Sequence, residues 1–263
     1  MTPSSPPLAV VTGGNAGIGL ALAHRLAALG HRLVLVARDA GRLETAAREI
    51  AGRTDVAVDT RACDLSDAAQ TRALAAEIAA RAPDVLVNNA GFGSYGAFAT
   101  LPAEAAAGMI ATNVTALTVL TAAALPAMRA RGAGRILNVA STAAFAPLPL
   151  AAVYGASKAY VLSFSLALAE ELAGTGVTVT ALCPGPTATG FADRAGMARA
   201  RLFADAPAAS AEAVAARGIA AMMAGKGLEV TGLSNRLLVF ATRFAPRALA
   251  ARISHRVMRE RLP

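Results

Sequence analysis

Short apolar runs suited to buried strands alternate with Ala- and Leu-rich helical segments along most of this chain. In the first unit, residues 8–12 are a continuous apolar run, and apolar residues then recur at helical spacing over 18–29 until Gly30 ends the pattern. Repeated strand–helix–strand units form a parallel sheet with right-handed crossovers and helices on both faces. We therefore predict one α/β domain over 1–263, a doubly wound parallel sheet of about seven strands.

The same alternation places the later elements of the sheet. Further strands are predicted at residues 33–36, 56–62, 85–87, 135–140 and 177–182, with helices between them. No repeat, low-complexity segment or Pro/Gly-rich linker interrupts the pattern. At 55% hydrophobic and 16% charged residues, the chain is too apolar for intrinsic disorder.

The formal net charge of +8 resembles that of a nucleic-acid-binding protein. Residues 226–263 hold eight cations and two carboxylates, a net +6, so the preceding part of the chain is nearly neutral. Because basic residues without a reading element are poor evidence for nucleic-acid recognition, no nucleic-acid partner is predicted.

Cysteine and histidine usage argues against disulfides and metal sites. Cys63 and Cys183 have no CxxC partner, and the 3 histidines are scattered, so we predict no metal and a reducing, cytoplasmic setting. No basic stretch precedes the first apolar run, so no signal peptide is predicted. Residues 105–128 carry no charge and have the length of a membrane span, but Asn113 and Pro126 interrupt them, so a core helix is predicted instead.

Glycines fill the turn between the first predicted strand and the first predicted helix, in the sequence Thr-Gly-Gly-Asn-Ala-Gly-Ile-Gly at 12–19. Such glycines permit a tight turn and let the backbone approach a pyrophosphate, which the helix N-terminus attracts. The spacing is not the GxGxxG of the wider dinucleotide-binding fold, but its place between strand and helix indicates a Rossmann-like dinucleotide site.

Arg38 and Asp39 follow the second predicted strand and bear on cofactor choice. An acidic residue here would hydrogen-bond a ribose 2′-hydroxyl, whereas an arginine would pair with a 2′-phosphate. Arg38 comes first after the strand, and Ala37 leaves room for a phosphate, so NADP(H) is favoured and NAD(H) stays open. An ordinary solvated arginine on the surface would give the same sequence at this position.

An Asn-Asn-Ala-Gly sequence at 88–91 follows the strand predicted at 85–87. Polar groups at the carboxyl end of a parallel strand lie at the rim where such sheets bind ligands. Taken alone, the sequence fits a polar loop equally well.

Tyr154 and Lys158 are four residues apart in a predicted helix, and Ser141 follows the strand at 135–140. At that spacing the two side chains share one helix face. A phenol has a pKa near ~10, and lowering it to about 7 takes on the order of 4 kcal/mol of extra phenolate stabilisation, part of which a close ammonium supplies. A core tyrosine beside an unrelated lysine would give the same spacing.

In this order, the four motifs resemble the short-chain dehydrogenase/reductase family, in the single-domain branch with TGxxxGxG, NNAG and YxxxK motifs, from residue 8 to about residue 190. The resemblance implies NAD(P)-dependent hydride transfer between a carbonyl and an alcohol. It implies that Tyr154 is the general acid/base and that Lys158 lowers its pKa and holds the nicotinamide ribose. It also implies that Ser141 hydrogen-bonds the substrate oxygen and that Asn113 positions a proton-relay water.

The resemblance further implies a set of cofactor-binding residues, in which Asp64 contacts the adenine and the segment from Pro184 closes over the nicotinamide amide. Besides Tyr154 and Lys158, this set comprises Gly13, Asn15, Ala16, Gly17, Ile18, Gly19, Arg38, Asp64, Leu65, Asn89, Ala90, Gly91, Pro184, Gly185, Thr187 and Thr189. The pair Asn15-Ala16 lacks the basic residue that many NADP-preferring members carry in this turn, which keeps NAD(H) open.

The segment after this region resembles the family's mobile substrate lid, and the end of the chain is rich in arginine. The domain is therefore divided into a cofactor-binding and catalytic core at 8–186, a substrate lid at 187–225 and a basic C-terminal helical extension at 226–263. The residues predicted to line an apolar substrate pocket are Phe92, Tyr95, Phe98, Phe145, Leu148, Phe191, Met197 and Phe203. We therefore predict a hydrophobic ketone or aldehyde, or the matching alcohol, as the small-molecule partner. Core packing explains the same residues equally well.

The C-terminal extension repeats arginine among apolar residues, and three interpretations compete. The apolar stripe consists of Leu238, Phe244, Leu249, Ile253 and Val257. It fits a subunit-interface or lid-packing helix in a homo-oligomer (a dimer or tetramer), an amphipathic helix in peripheral contact with an anionic membrane, or a nucleic-acid contact. The first is favoured.

Two other functions fit parts of the sequence. A serine hydrolase would use Ser157 with His255, but Ser157 lies in a helical pattern rather than on a sharp turn after a strand. A non-catalytic NADP-binding sensor or interaction protein would keep the fold and the glycine turn without needing Tyr154 and Lys158 together.

Overall fold

The computed structural model describes residues 6–198, 200–201 and 208–259. Its central sheet has seven strands in the order β3-β2-β1-β4-β5-β6-β9, and every pairing in it is parallel. The strands are β1 (Leu8–Thr12), β2 (Arg32–Ala37), β3 (Val58–Ala62), β4 (Val85–Asn88), β5 (Gly134–Val139), β6 (Val177–Cys183) and β9 (Leu228–Val230). Two further strands, β7 (Thr187–Ala188) and β8 (Ala209–Ser210), pair with each other outside this sheet.

Helices connect the strands and cover both faces of the sheet. They are α1 (Gly17–Ala28), α2 (Ala40–Ala51), α3 (Ala68–Arg81), α4 (Ala103–Ile110), α5 (Leu117–Arg131), α6 (Ala152–Glu171), α7 (Phe191–Arg194), α8 (Ala211–Met223), α9 (Leu233–Thr242) and α10 (Arg247–Met258). A π-helical turn at Ala111–Ala116 joins α4 to α5. The doubly wound fold predicted from the sequence is confirmed.

Successive side chains of the strands pack alternately into two separate hydrophobic cores, one on each face of the sheet. In β1, Ala9 and Val11 pack with α1, α2 and α8, while Leu8 and Val10 pack with α3, α5 and α6. Strand residues point alternately to opposite faces, so a strand covered on both sides must be apolar throughout. This is why β1 reads as an unbroken apolar run.

Two elements that fall within the predicted lid and the predicted C-terminal extension pack with the central sheet. Helix α8 falls in the segment predicted as a lid, yet Val214, Ala215 and Met222 are buried in the same core as α1. Strand β9 falls in the predicted helical extension, yet it pairs with β6. Both were missed because α8 is as Ala-rich as the rest of the chain and β9 is only three residues long.

Two helical stretches, Ala103–Arg131 and Ala152–Glu171, are long and apolar enough to span a membrane. Their buried residues, among them Leu120, Ala124 and Leu168, belong to the core beneath the sheet. We interpret both stretches as core helices of the doubly wound fold. The strand order reverses between β1 and β4, and at such a switch point the carboxyl ends of the strands leave a crevice for a ligand.

Candidate active site

A cavity of about 900 Å³ opens at the carboxyl ends of the strands. Its walls come from the turns after β1, β2, β4, β5 and β6, and from α9 and α10. The volume lies at the upper end of the usual range for ligand pockets. One cavity therefore joins the glycine turn to the Tyr154 helix.

The glycine turn is built so that its backbone borders the cavity. Gly13 and Gly17 have φ of +64° and +53°, a conformation that side chains disfavour. A side chain on Gly19 would overlap the backbone oxygen of Gly13, so this glycine lies beneath the turn rather than on the cavity wall. The Thr12 hydroxyl donates to Val87 O and accepts from the backbone N–H groups of Asn89 and Ala90. It thereby fixes the turns after β1 and β4 to each other.

The two asparagines of the 88–91 segment point in opposite directions, as successive strand residues do. The Asn89 amide donates to Thr12 O at 2.9 Å and Gly13 O at 3.2 Å and borders the cavity. The Asn88 amide donates instead to Thr121 Oγ1 and Asn138 Oδ1 in the buried layer on the other side of the sheet. Only the second asparagine is available to a ligand.

At the end of β2, two exposed arginines border the cavity, Arg38 and Arg42. Asp39 also borders it, but its Oδ1 accepts the backbone N–H of Arg42 at 3.0 Å and caps α2. One oxygen of the Asp39 carboxylate is thus engaged by the N-terminus of α2, whereas the guanidinium groups of Arg38 and Arg42 are exposed at the same rim. The net charge of the three side chains at this rim is positive.

Tyr154, Lys158 and Ser141 lie together on the cavity wall. Tyr154 and Lys158 stand on one face of α6, with the Lys158 ammonium 5.9 Å from the centre of the Tyr154 ring. Lys158 is buried, and its Nζ donates to Val139 O at 2.8 Å. The Ser141 hydroxyl hydrogen-bonds Tyr154 and also accepts the Ala143 N–H at 3.1 Å.

Burial is the main cause of the pKa shifts of Tyr154 and Lys158. Burial raises the pKa of Tyr154 to about 12, and the hydrogen bond with Ser141 only partly opposes that shift. Burial also lowers the pKa of Lys158 to about 8. In the chain without a cofactor, desolvation of the phenolate sets the direction of the shift, and the predicted lowering of the Tyr154 pKa by Lys158 together with a positive nicotinamide stays a prediction.

The side chain of Asn113 does not line the cavity, and its predicted role in positioning a relay water stays a prediction. Its side chain is buried away from the cavity wall, with Nδ2 donating to Phe92 O and Ser157 Oγ and Oδ1 accepting the Phe92 N–H. Both N–H groups of the amide are donated within the protein, so the side chain holds Phe92 and Ser157 in place.

Ser157 in turn donates to Tyr154 O at 2.7 Å from inside α6. This position is unsuited to the nucleophile of a serine hydrolase.

Most predicted site residues line this one cavity. These are Gly13, Asn15, Ala16, Gly17, Ile18, Arg38, Leu65, Asn89, Ala90, Gly91, Phe92, Ser141, Phe145, Leu148, Tyr154, Lys158, Pro184, Gly185, Thr187, Thr189, Phe191 and Met197. The predicted residue Phe203 lies outside the described part of the chain.

Asp64 and Tyr95, like Gly19 and Asn113, were predicted at the site but do not line the cavity. Asp64 instead accepts from the backbone and hydroxyl of Ser66. These bonds, the hydroxyl first, lower the pKa of its carboxyl. Tyr95 borders a smaller neighbouring cavity of about 250 Å³, together with Phe98, and its hydroxyl donates to Met258 O at 2.6 Å.

Several cavity residues were missed from the sequence. Arg194 lies on the lid side, and the C-terminal helices contribute Leu238, Val239, Thr242, Ala250, Ile253, Ser254, Val257 and Met258. Gly93 also borders the cavity, and its lack of a side chain leaves space for Phe191, Met197 and Tyr154. No local motif marks these positions. Among the described residues there is no group of three metal-ligating His, Cys, Asp or Glu side chains.

Comparison with known proteins adds independent evidence. A family model described as short chain dehydrogenase matches residues 7–200. Among curated proteins, ketoacyl reductase 1 of the granaticin polyketide synthase from Streptomyces violaceoruber is 44% identical over 195 residues, covering 73% of this chain and 71% of that protein.

Two solved structures share the fold. A short-chain dehydrogenase from Sphingobium yanoikuyae in complex with NADPH has a TM-score of 0.81 and 32% identity, covering 90% of this chain and 93% of that one. The bulky-bulky ketone specific alcohol dehydrogenase from Comamonas testosteroni has a TM-score of 0.78 and 28% identity, covering 92% and 93%. These alignments include most of the C-terminal part that the family model does not match.

Proposed function

The chain belongs to the short-chain dehydrogenase/reductase family, and from that membership we propose that it is an NADP(H)-dependent reductase interconverting an apolar ketone or aldehyde with its alcohol. The observation that carries the proposal is the convergence of Tyr154 and Ser141 on the wall of the cavity that begins at the glycine turn. Hydroxyl donors at a reacting oxygen, in reach of a dinucleotide cradle, suit carbonyl reduction.

The residues present fit a dinucleotide phosphate. Gly13 and Gly17 leave bare backbone at the N-terminus of α1, where a pyrophosphate is favoured. Arg38 and Arg42 offer guanidinium groups for a 2′-phosphate at the other rim. When bound, the nicotinamide supplies or accepts the hydride. NADPH is named in the complex of the Sphingobium relative, which supports the same choice here.

Residues of the chain itself transfer the proton to and from the substrate oxygen. With its pKa raised to about 12, the Tyr154 phenol is fully protonated at neutral pH and can donate to a developing alkoxide. Ser141, which hydrogen-bonds that phenol, is placed to hold the same substrate oxygen. Lys158 carries its charge beneath the phenol, and its bond to Val139 O orients it. In the oxidation direction, this ammonium and a positive nicotinamide favour the phenolate.

The substrate side of the cavity is mostly apolar. Its side chains are Phe92, Phe145, Leu148, Phe191, Met197, Leu238, Ile253, Val257 and Met258. Such a lining favours a carbonyl with bulky apolar substituents, and the Comamonas relative is named for ketones of that kind. Arg194 is exposed and borders the cavity on the lid side, so carbonyl compounds with a remote acidic group belong in the same screen, beside β-keto thioesters.

The test is NADPH consumption with a panel of bulky ketones, aldehydes and β-keto thioesters, using Tyr154→Phe and Tyr160→Phe side by side. Tyr160 is on the same helix but half-exposed, and its hydroxyl contacts Thr118 rather than the cavity. We expect Tyr154→Phe to lower kcat by about 10²–10⁴-fold, the usual contribution of a general acid, and Tyr160→Phe to leave it within about twofold.

Cofactor binding is measured on the same variants by NADPH fluorescence. Retained binding by Tyr154→Phe with lost turnover supports the proton-donor role. Binding of NADPH by the unaltered protein without turnover of any carbonyl tested would replace the proposal with a non-catalytic NADP-binding protein. Equal activity of Tyr154→Phe and the unaltered protein would remove Tyr154 from the mechanism.

A further inference from the structure

The last two helices, α9 and α10, expose an unusual amount of large apolar surface. Leu233, Leu237, Leu238, Phe240 and Phe244 are all more than half exposed, at 57–75%, and Leu249, Ile253 and Val257 on α10 are 39–49% exposed. Exposed large apolar side chains gathered in this number on two successive helices mark a contact surface rather than the single exposed residues that are normal on a protein. We define the apolar surface by these eight residues.

The apolar residues form rows rather than a scatter. Leu233, Leu237 and Phe240 stand on one face of α9, and Phe244, in the turn just after the helix, extends that row by packing its ring against Phe240 at 5.3 Å. Leu249, Ile253 and Val257, each four residues apart, form a second row along α10. Ile253 and Val257 also line the cavity, so the apolar surface is continuous with the cavity mouth.

Arginines lie beside both rows. Arg236 and Arg243 directly precede two residues of the α9 row in sequence. Arg252 and Arg256 directly precede two residues of the α10 row. Together with Arg247 and Arg259, all six are exposed, and residues 233–259 contain no Asp or Glu. The surface thus combines exposed apolar side chains with an uncompensated charge of +6.

This combination selects among the possible occupants. A second copy of the chain, docked by the same surface across a two-fold axis, would bring the arginine rows close to their own symmetry mates with no carboxylate from this segment between them. A lipid bilayer with anionic headgroups supplies both an apolar phase and negative charge. At 10 and 12 residues, α9 and α10 are too short to cross a bilayer but suit the plane of its interface.

We propose that α9 and α10 dock the protein peripherally on an anionic phospholipid membrane, with the apolar rows in the interfacial layer and the arginines at the headgroups. Arginine suits this place because its stem packs on apolar surface while its charged end reaches the phosphates. The docking is a property of the surface and does not depend on which carbonyl the protein reduces.

The experiment is flotation of the full chain with vesicles of phosphatidylcholine alone or mixed with phosphatidylglycerol, at low and high salt. The charge variant is Arg243→Gln/Arg252→Gln/Arg256→Gln. Its matched control, Arg48→Gln/Arg72→Gln/Arg129→Gln, removes the same charge from exposed positions on α2, α3 and α5. The apolar variant is Leu237→Ser/Phe244→Ser, neither residue lining the cavity.

We expect binding only to the phosphatidylglycerol vesicles, weakened by salt. The charge variant should bind about tenfold more weakly or worse, the apolar variant should also lose binding, and the control should keep it. Circular dichroism and size-exclusion chromatography accompany each variant. The proposal is overturned by absent binding to anionic vesicles, by equal loss in the control, or by an oligomer that the apolar variant dissociates while vesicle binding is unchanged.

Discussion

The side-chain amide of Asn113 donates to the hydroxyl of Ser157 at 3.0 Å, across 44 residues of sequence. This bond joins the π-helical turn to α6, one turn from Tyr154, and the same amide holds the backbone of Phe92. The position of the reactive phenol therefore depends on a buried hydrogen bond between two side chains that do not line the cavity. A buried network of this kind is costly to interrupt.

Removal of either partner should destabilise the protein. We expect Asn113→Ala to lower the free energy of unfolding by about 2 kcal/mol or more and Ser157→Ala by about 1 kcal/mol, because each leaves buried polar groups unpaired. The double variant should show a coupling energy above about 0.5 kcal/mol. Urea denaturation measures all three. The control is Ser163→Ala, an exposed serine of the same helix, which should change stability little; strictly additive losses would contradict the pairing.

Stability should depend on pH through Lys158. The pKa of this lysine is lowered to about 8 in the folded chain, against 10.5 ordinarily, so between these pH values the unfolded chain binds more protons and stability from this group rises with pH. Replacement by methionine removes that rise, worth roughly 3 kcal/mol across the window. Urea denaturation of the unaltered protein and Lys158→Met from pH 7 to about 10 would reveal it. Parallel pH profiles would show that the lysine is not desolvated.

Cofactor preference should depend on the arginines that follow β2. Arg38→Ala and Arg42→Ala should each raise the KM for NADPH by about tenfold while leaving that for NADH nearly unchanged, since a charge-assisted bond to the 2′-phosphate is lost. Arg48→Ala, an exposed arginine of α2 away from the cavity, is the control. Steady-state kinetics with both cofactors decide this, and equal use of NADPH and NADH by the unaltered protein would defeat it.

Gly93 should set how large a substrate fits beside Tyr154. A Cβ at this position would lie 3.1–3.2 Å from atoms of Phe191, Met197 and Tyr154, tighter than ordinary contact. Gly93→Ala should therefore lower kcat/KM for bulky ketones by about tenfold and for small aldehydes much less. Gly227→Ala, where the nearest neighbour of the new Cβ lies at 3.8 Å, serves as the control. An identical loss for all substrate sizes would point to a distorted phenol instead.

Much of the fold and of the cofactor site was predictable because it is encoded locally. The apolar run at 8–12 and the glycines after it specify a strand, a turn and a helix without reference to distant residues. The four-residue spacing of Tyr154 and Lys158 places them on one helix face in the same way. Strand β9 and the inward packing of α8 escaped prediction, because their local patterns are short or shared with the rest of this Ala-rich chain.

Periodicity and turn residues alone thus determined the doubly wound sheet, the glycine cradle and the tyrosine–lysine pair. The tertiary structure decided the rest. It placed the Asn113 side chain in a buried hydrogen-bond network, raised the pKa of Tyr154 by burial, and brought α10 back to the cavity wall, with Met258 O bound by Tyr95 across 163 residues. These outcomes depend on desolvation and on contacts between distant segments. Burial and long-range contacts exist only after the chain has folded, so no local sequence pattern could predict them.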